Sequence, residues 1–207
     1  MSLAAALWRA NADLASAARN HPFVTGLGDG SLPREVFAGY VAQDAFFLES
    51  FARGYALAIA HSPDRRGLDA FAGLLAGVRD ELRLHDGYAG RWGIDLGSVE
   101  PLPATLAYTD FLLATAALGD LGHTCAALTP CMRLYAYLGQ SLAGGDERYA
   151  DWIRTYADPG FEELAVTLEG LLDAYAAVDD ARTGVVYRRA MGLEVAFFEA
   201  AYQHGRS

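Results

Sequence analysis

Apolar residues recur with helical periodicity along almost the whole chain, interrupted only by short breaks at proline and glycine. They are mostly Ala and Leu, which favour helices, whereas runs of Val, Ile and Thr, the usual filling of strands, are nearly absent. A chain of 207 residues suffices for one well-packed core, and no repeat or interdomain linker divides it. The pattern predicts an all-α protein with one helical domain over residues 1–207.

The breaks predict a bundle of seven or eight helices with short connections. The first predicted helix covers residues 3–19, a glycine-rich loop covers 26–31, and Pro33 opens a long helix that stops near Pro63. The other predicted helices cover residues 66–90, 103–118, 121–143 with Pro130 inside, a short segment carrying Trp152 and Tyr156, 161–177, and 179–203.

The charge balance excludes nucleic acid and anionic membrane surfaces as partners. The net charge is −10, and the arginines are scattered among acidic residues instead of forming a cluster that neutralises phosphates. The N-terminus lacks the pattern of a secretory signal, and no apolar stretch reaches the ~20 residues of a bilayer span. We therefore expect a soluble, cytoplasmic protein, in which Cys125 and Cys131 are free thiols.

Two carboxylates interrupt apolar helical stripes. Asp44 lies on a stripe formed by Phe37, Tyr40, Phe47 and Phe51. Glu194 lies on another, formed by Tyr187, Met191 and Phe198. An ionised carboxylate in such a place costs several kcal/mol unless it is paired or hydrogen-bonded. Both are candidate functional residues; the alternative for each is a structural hydrogen bond to a buried tyrosine or a helix end.

Cys131 directly follows Thr129-Pro130. A proline inside a helix removes a backbone hydrogen bond and kinks the helix, which can expose a neighbouring side chain to a cavity. On this ground alone, a small apolar core residue is the more common role of a cysteine. Tyr135, one turn later, shares the face of Cys131, whereas Cys125 lacks these features and is interpreted as a core residue.

His85 lies on the stripe of Leu75, Val78 and Leu82, one turn after Glu81. That spacing is able to hold a metal, but a di-iron bundle takes several carboxylates and Glu-x-x-His pairs from facing helices, and the sequence does not provide that set. We interpret His85 as a core or pocket-rim histidine. The aromatic residues Tyr108, Trp152 and Tyr156 are core residues by default.

Several motifs, taken together, resemble the TenA/thiaminase II family. They are His21-Pro22-Phe23-Val24 with the following segment 26–33, Gln43-Asp44, Leu128-Thr129-Pro130-Cys131 with Leu134-Tyr135, Trp152-Ile153-Arg154-Thr155-Tyr156, and Leu193-Glu194 before Phe197-Phe198. The matches keep the family's order over about residues 20–202.

The resemblance implies a haem-oxygenase-like helical bundle, a homotetramer, and hydrolysis of aminopyrimidines or thiamine that releases hydroxymethylpyrimidine for thiamine salvage. It also implies that Cys131 is the nucleophile and Glu194 the proton donor. Asp44 would bind the amino-pyrimidine edge, Tyr135 and Tyr156 would contact the substrate, and Tyr108 would stack on its ring. No metal or organic cofactor is implied.

The chain departs from the family at Phe47, where well-studied members have a tyrosine whose hydroxyl is thought to make the cysteine more nucleophilic. Phe47 keeps the ring as a pocket wall and lacks that hydroxyl, which affects the rate or the preferred substrate. Two alternatives remain: a cofactor-free enzyme of the same fold acting on another heterocycle, which the presence of Cys131 disfavours, and a non-catalytic pyrimidine-binding or regulatory protein.

Overall fold

The computed structural model describes residues 1–177 and 180–205, except for the side chain of Trp92. It confirms the all-α fold class, with ten α-helices among these residues instead of the seven or eight predicted. The helices are α1 (Leu3–Ala10), α2 (Ala12–Arg19), α3 (Pro22–Asp29), α4 (Arg34–His61), α5 (Arg65–Trp92), α6 (Pro103–Leu118), α7 (Leu121–Ser141), α8 (Ala150–Ala157), α9 (Pro159–Tyr175) and α10 (Ala181–His204). Two short 3₁₀ turns, Leu96–Ser98 and Glu147–Tyr149, precede α6 and α8.

One extra helix arises because the predicted first helix breaks at Asn11. The Asn11 side chain donates a hydrogen bond of 2.8 Å to the carbonyl of Leu7, and its backbone leaves the helical region with φ −112° and ψ 21°. An asparagine side chain that binds a nearby backbone carbonyl competes with helix continuation. The break lets α1 pack on α9 while α2 packs on α10.

The other extra helix, α3, occupies the stretch predicted as a glycine-rich loop. Pro22 fits the first turn, and the Nδ1 atom of His21 caps that turn by accepting a hydrogen bond of 3.1 Å from the Phe23 N–H. Gly30, with φ 74°, ends the helix in the left-handed conformation that glycine adopts at no steric cost. A Cβ atom on Gly28 would lie 2.7 Å from Leu142, so this glycine allows a close contact between α3 and the end of α7.

Helices α4 and α7 form the centre of the bundle. Helix α7 is buried along most of its length, continues through Pro130, and packs against α8, α9 and α10. Helix α4 packs against α5, α6 and α10 and also contacts α7. The space enclosed by these central helices holds most of the polar side chains discussed below. The predicted start of the last helix at Asp179 lies outside the described residues.

Within the described part of the chain, no helix is long and apolar enough to cross a lipid bilayer.

Candidate active site

Five helices bring the seven predicted site residues together in one buried cluster of side chains, which we call the pocket. These residues are Asp44 and Phe47 on α4, Tyr108 on α6, Cys131 and Tyr135 on α7, Tyr156 on α8, and Glu194 on α10, and all are less than 9% exposed. A continuous chain of contacts links them, although they are up to 150 positions apart in the sequence (194 − 44). We divide the pocket into a Glu194 side (Glu194, Cys131, Tyr108 and Phe47) and an Asp44 side (Asp44, Tyr40, His85 and Tyr135).

On the Glu194 side, a carboxyl group lies between a phenol and a thiol. The Tyr108 hydroxyl donates a hydrogen bond of 2.6 Å to Glu194 Oε1, and the Cys131 thiol lies close enough to Glu194 for each group to shift the pKa of the other. The Tyr108 ring packs against Phe47 with ring centroids 4.7 Å apart. Tyr108 therefore contributes a hydrogen bond to Glu194 as well as the aromatic wall implied by the resemblance.

Burial keeps both acidic groups of the Glu194 side protonated at neutral pH. Burial and the charge of Asp44 raise the pKa of Glu194 to about 8, against the opposing hydrogen bonds from Tyr108 and Cys131. Burial and the nearby carboxylates of Glu194, Glu81 and Asp44 raise the pKa of the Cys131 thiol well above its usual value. Glu194 is thus able to deliver a proton near neutrality, and the thiol needs a proton acceptor before it reacts.

On the Asp44 side, the carboxylate is surrounded by hydrogen-bond donors. Asp44 Oδ2 accepts hydrogen bonds from the Tyr40 hydroxyl at 3.2 Å and from His85 Nε2 at 2.8 Å. The Tyr40 and Tyr135 hydroxyls are 3.1 Å apart, and Trp152 Nε1 donates to the Tyr40 hydroxyl at 3.3 Å. Asp44 is only 3% exposed, and these donors stabilise its carboxyl group. They explain how an aspartate is tolerated on an apolar helical stripe.

Tyr156 connects the pocket to Glu81. Its ring packs edge-on against Tyr135 at 4.8 Å, and its hydroxyl donates a hydrogen bond to Glu81 Oε1. Burial and the charge of Asp44 raise the pKa of Glu81 to about 7, while His85 and Tyr156 oppose that rise. A third carboxyl group therefore belongs to this pocket.

Sequence reasoning did not assign Tyr40, Glu81 and His85 to the site. Tyr40 lies one turn before Asp44, and its apolar stripe predicts only a core position. The spacing of Glu81 and His85 indicates a metal pair, or a core or pocket-rim position for His85, and does not assign either residue to the site. The imidazole nitrogens of His85 instead contact Asp44 and the backbone carbonyl of Glu81. The sequence does show that Tyr40 and Asp44, and likewise Glu81 and His85, are one helical turn apart. This spacing does not show which residues of other helices these side chains face.

A cavity of about 510 Å³ opens between α5, α8 and α9, next to this pocket. Its lining includes Glu81, which binds Tyr156, and Met132, the neighbour of Cys131. Leu74, Val78 and Phe161 form apolar parts of its wall, and Arg154 lies at an exposed position. Glu81 and Met132 therefore connect the cavity to the pocket, whose residues are buried.

The two cysteines have different surroundings, and both are free thiols, as expected. Cys125 is fully buried on α7, and its backbone carbonyl accepts a hydrogen bond of 2.7 Å from the Thr129 hydroxyl. Burial raises the pKa of Cys125 far above its usual value, and no carboxyl group of the pocket is among its causes. Cys131 is the cysteine that meets Glu194.

The chain is similar to known proteins over almost its whole length. Residues 8–204 match the TENA/THI-4/PQQC family. The aminopyrimidine aminohydrolase of Halalkalibacterium halodurans is 36% identical over 215 residues, covering 98% of this chain and 96% of that protein. The crystal structure of a TenA family transcription regulator from Silicibacter sp. superposes with a TM-score of 0.91 at 32% identity, covering 97% of both chains. A domain of unknown function with a heme oxygenase-like fold from Shewanella denitrificans, 16% identical, superposes with a TM-score of 0.71 over 100% of this chain and 94% of that one, which confirms the haem-oxygenase-like architecture.

Proposed function

The chain belongs to the TENA/THI-4/PQQC family, and we propose that it is a thiaminase II-type hydrolase that uses Cys131 as the nucleophile and Glu194 as the proton donor. Its substrates are aminopyrimidines, and the product, hydroxymethylpyrimidine, enters thiamine salvage in the cytoplasm. The observation that carries the proposal is the buried Glu194 carboxyl, which accepts a hydrogen bond from Tyr108 and lies close enough to the buried Cys131 thiol for each group to shift the pKa of the other.

The first half of the reaction forms a covalent adduct. Glu194 donates its proton to a ring nitrogen of the pyrimidine, which makes the adjacent ring carbon electrophilic. Cys131 Sγ bonds to that carbon, and the thiol proton passes to the carboxylate that Glu194 has just become. The proximity of the two groups supports this relay, because the thiol and the carboxyl shift each other's pKa.

The second half exchanges amine for water. The C–N bond at the exocyclic methylene breaks, and the amine departs with the electron pair and a proton from Glu194. A water oxygen then bonds to the methylene while its proton returns to Glu194. Finally the C–S bond breaks, the sulfur regains a proton through Glu194, and the ring nitrogen gives its proton back. One water is consumed and one amine released, and the protein ends unchanged.

The Asp44 side holds the pyrimidine in this scheme. An ionised carboxylate only accepts hydrogen bonds, so Asp44 suits the exocyclic amino group of the substrate. Tyr135 and Tyr156, which pack edge-on against each other, provide aromatic contacts for the ring. Aromatic faces stabilise a flat heterocycle without fixing its chemistry.

The test is a hydrolysis assay with purified protein and two substrates, thiamine and 4-amino-5-aminomethyl-2-methylpyrimidine. We expect hydroxymethylpyrimidine in both reactions, and ammonia from the aminomethyl compound. Cys131→Ser should remove the activity, whereas Cys125→Ala, a change to the other buried cysteine of α7, should keep it. Pyrimidine binding without any turnover would contradict the proposal and indicate a regulatory protein instead.

We also propose a homotetramer, as the family resemblance implies. The outward face of α6 is suited to a contact between copies, because Leu106 and Leu118 are 41% and 87% exposed there. Asp110 is the only charged residue of that helix. A helix that is apolar on all sides is usually covered. Sedimentation velocity should show a tetramer at micromolar concentration and a smaller species for Leu118→Glu; a monomer in the unaltered protein would contradict this part of the proposal.

A further inference from the structure

His85 is held between two hydrogen-bond acceptors. It is 2% exposed, its Nδ1 atom lies 2.9 Å from the backbone carbonyl oxygen of Glu81, and its Nε2 atom lies 2.8 Å from Asp44 Oδ2. A carbonyl oxygen and a carboxylate oxygen only accept, so both ring nitrogens must carry a proton while Asp44 is ionised. The geometry therefore favours an imidazole ring that carries a proton on both nitrogens.

The electrostatics agree with this geometry. Burial lowers the pKa of His85, but the hydrogen bond to Asp44 and the charges of Asp44 and Glu81 outweigh burial and raise the pKa to about 9. Other titratable groups around the imidazole are the hydroxyls of Tyr40 and Tyr88, of which the Tyr88 ring lies 6.1 Å from the imidazole. The acidic groups of Asp44 and Glu81 therefore keep the His85 imidazole ring positively charged at neutral pH.

The two oxygens of Asp44 are used differently. Oδ2 accepts both hydrogen bonds, from Tyr40 and from His85, whereas no residue in the described part of the chain donates to Oδ1. The donors on Oδ2 fix the rotation of the carboxylate. They leave Oδ1 as the oxygen available to a ligand.

We propose that His85 is a positioning residue whose hydrogen bond to Asp44 Oδ2 turns Oδ1 toward the substrate, so that the pocket selects a pyrimidine with an exocyclic amino group. This inference rests on the proposed function and deepens it, because it assigns the choice of substrate to a residue outside direct contact. A carboxylate that cannot donate repels the oxygen of an oxo-pyrimidine and loses its partner in an analogue with hydrogen at that ring position.

One turn of α5, from Glu81 to His85, supports two of the residues proposed to bind the substrate, Asp44 on α4 and Tyr156 on α8. His85 holds Asp44, while the side chain of Glu81 accepts a hydrogen bond from Tyr156 and its backbone carbonyl accepts one from His85. Two charged residues one turn apart thus position contacts on α4 and α8. Their spacing, which suggested a metal pair in the sequence, is explained by this arrangement.

Asparagine and glutamine provide a matched pair of variants at position 85. His85→Gln places an amide N–H₂ near the former Nε2 atom, within reach of Asp44 Oδ2. His85→Asn reaches only as far as the former Nδ1 atom and leaves Asp44 without this donor. Both side chains are neutral amides, so they differ in reach and not in chemistry. His123→Asn, which changes another buried histidine paired with an aspartate, Asp180, far from the pocket, is the control for a general loss of stability.

The measurement is calorimetric affinity for two ligands in the Cys131→Ser protein, which does not turn over. The ligands are 4-amino-5-hydroxymethyl-2-methylpyrimidine and its analogue with hydrogen in place of the amino group. We expect His85→Asn to lower the affinity ratio of the two ligands by about tenfold or more, the value of one charge-assisted hydrogen bond. His85→Gln and His123→Asn should keep the ratio within about threefold, since each leaves a donor on Asp44 Oδ2.

The pH dependence of the same ratio is a second readout. Above about pH 9 the neutral imidazole keeps its proton on Nδ1 and presents a lone pair to Asp44, so the ratio should fall with His85 and stay level with His85→Gln. Two other groups of the pocket titrate at lower pH, Glu194 with a pKa of about 8 and Glu81 with a pKa of about 7. Glu194 faces the ring that both ligands share, and Glu81 is already ionised above pH 9. Neither group therefore accounts for a fall in the affinity ratio above that pH.

Equal loss of affinity for both ligands in His85→Asn would show a structural role and overturn the proposal, as would equal ratios for the asparagine and glutamine variants. Failure of the Cys131→Ser protein to bind either ligand is a distinct result, because it would refute the proposed function itself and with it the role of His85.

Discussion

Glu194 and Asp44 are both buried carboxyl groups of one pocket, but their partners differ in charge. Glu194 meets the neutral hydroxyl of Tyr108 and the neutral thiol of Cys131, and its pKa rises to about 8. Asp44 meets the imidazole of His85, which carries two protons, and the Tyr40 hydroxyl. The comparison shows that burial alone does not set the role of a carboxyl group: the neighbouring groups decide whether it is suited to deliver a proton or to accept hydrogen bonds.

The sharpest test of the difference between the two sides is removal of the nucleophile. Cys131→Ser should lower the hydrolysis rate by at least about 10³-fold, because the Glu194 carboxylate that accepts the thiol proton is too weak a base to activate an alcohol. Affinity for the pyrimidine product should change little, since the Asp44 side remains intact. Rates and calorimetric affinities measured on the same preparation check this, and equal activity in the variant would exclude the covalent mechanism.

Exchanging each carboxyl for an amide tests the division of roles directly. Glu194→Gln should lower kcat by about 10²–10⁴-fold, the usual contribution of a positioned acid, with a smaller change in affinity. Asp44→Asn should instead weaken binding of the aminopyrimidine, because the amide presents donors beside those of His85 and Tyr40. Steady-state kinetics and product binding on both variants measure the split. A pure affinity effect in Glu194→Gln would make Glu194 a binding residue.

The raised pKa of Glu194 also predicts a stability difference. A carboxyl whose pKa rises from 4.5 to about 8 on folding contributes stability that is fully present below about pH 4.5 and is lost as the pH rises through about 8. The loss is at most about 1.4 kcal/mol for each pH unit in that window. Glu194→Gln lacks this loss, so its Tm relative to the unaltered protein should rise by up to about ten degrees between pH 5 and pH 9. A constant Tm difference in scanning calorimetry would mean that Glu194 is ionised at neutral pH.

The smallest expected effect comes from adding a hydroxyl to the Glu194 side. Burial and three carboxylates raise the pKa of Cys131, and a tyrosine hydroxyl that donates to the sulfur would favour the thiolate. A charge-assisted hydrogen bond of about 1.5–3 kcal/mol corresponds to about 1–2 pKa units. Phe47→Tyr should therefore lower the pH at which Cys131 reacts with iodoacetamide and raise the rate of hydrolysis near neutrality.

Alkylation followed by mass spectrometry measures this effect and counts Cys125 separately. A bound pyrimidine should protect Cys131 and leave Cys125 unchanged. Identical pH profiles for the unaltered protein and Phe47→Tyr would show that another group activates the thiol and that Phe47 is only a wall of the pocket.

The helices and most of their ends were readable from the sequence because they depend on local interactions. The predicted boundaries of α6 coincide with those observed, and α7 and α9 differ by only a few residues. The two failures, at Asn11 and in the segment of α3, arose from side-chain hydrogen bonds that the apolar periodicity does not show: Asn11 binds the Leu7 carbonyl, and His21 caps the first turn of α3.

The sequence by itself determined that the chain is all-helical and that Asp44 and Glu194 interrupt apolar stripes, since periodicity and charge are properties of neighbouring residues. Only the tertiary structure decided that His85 pairs with Asp44, 41 positions earlier, and that Glu81 binds Tyr156, 75 positions later. The physical reason is that a pKa and a hydrogen-bond partner depend on the groups within a few ångströms. The folding of α4, α5, α7, α8 and α10 around one pocket sets those distances.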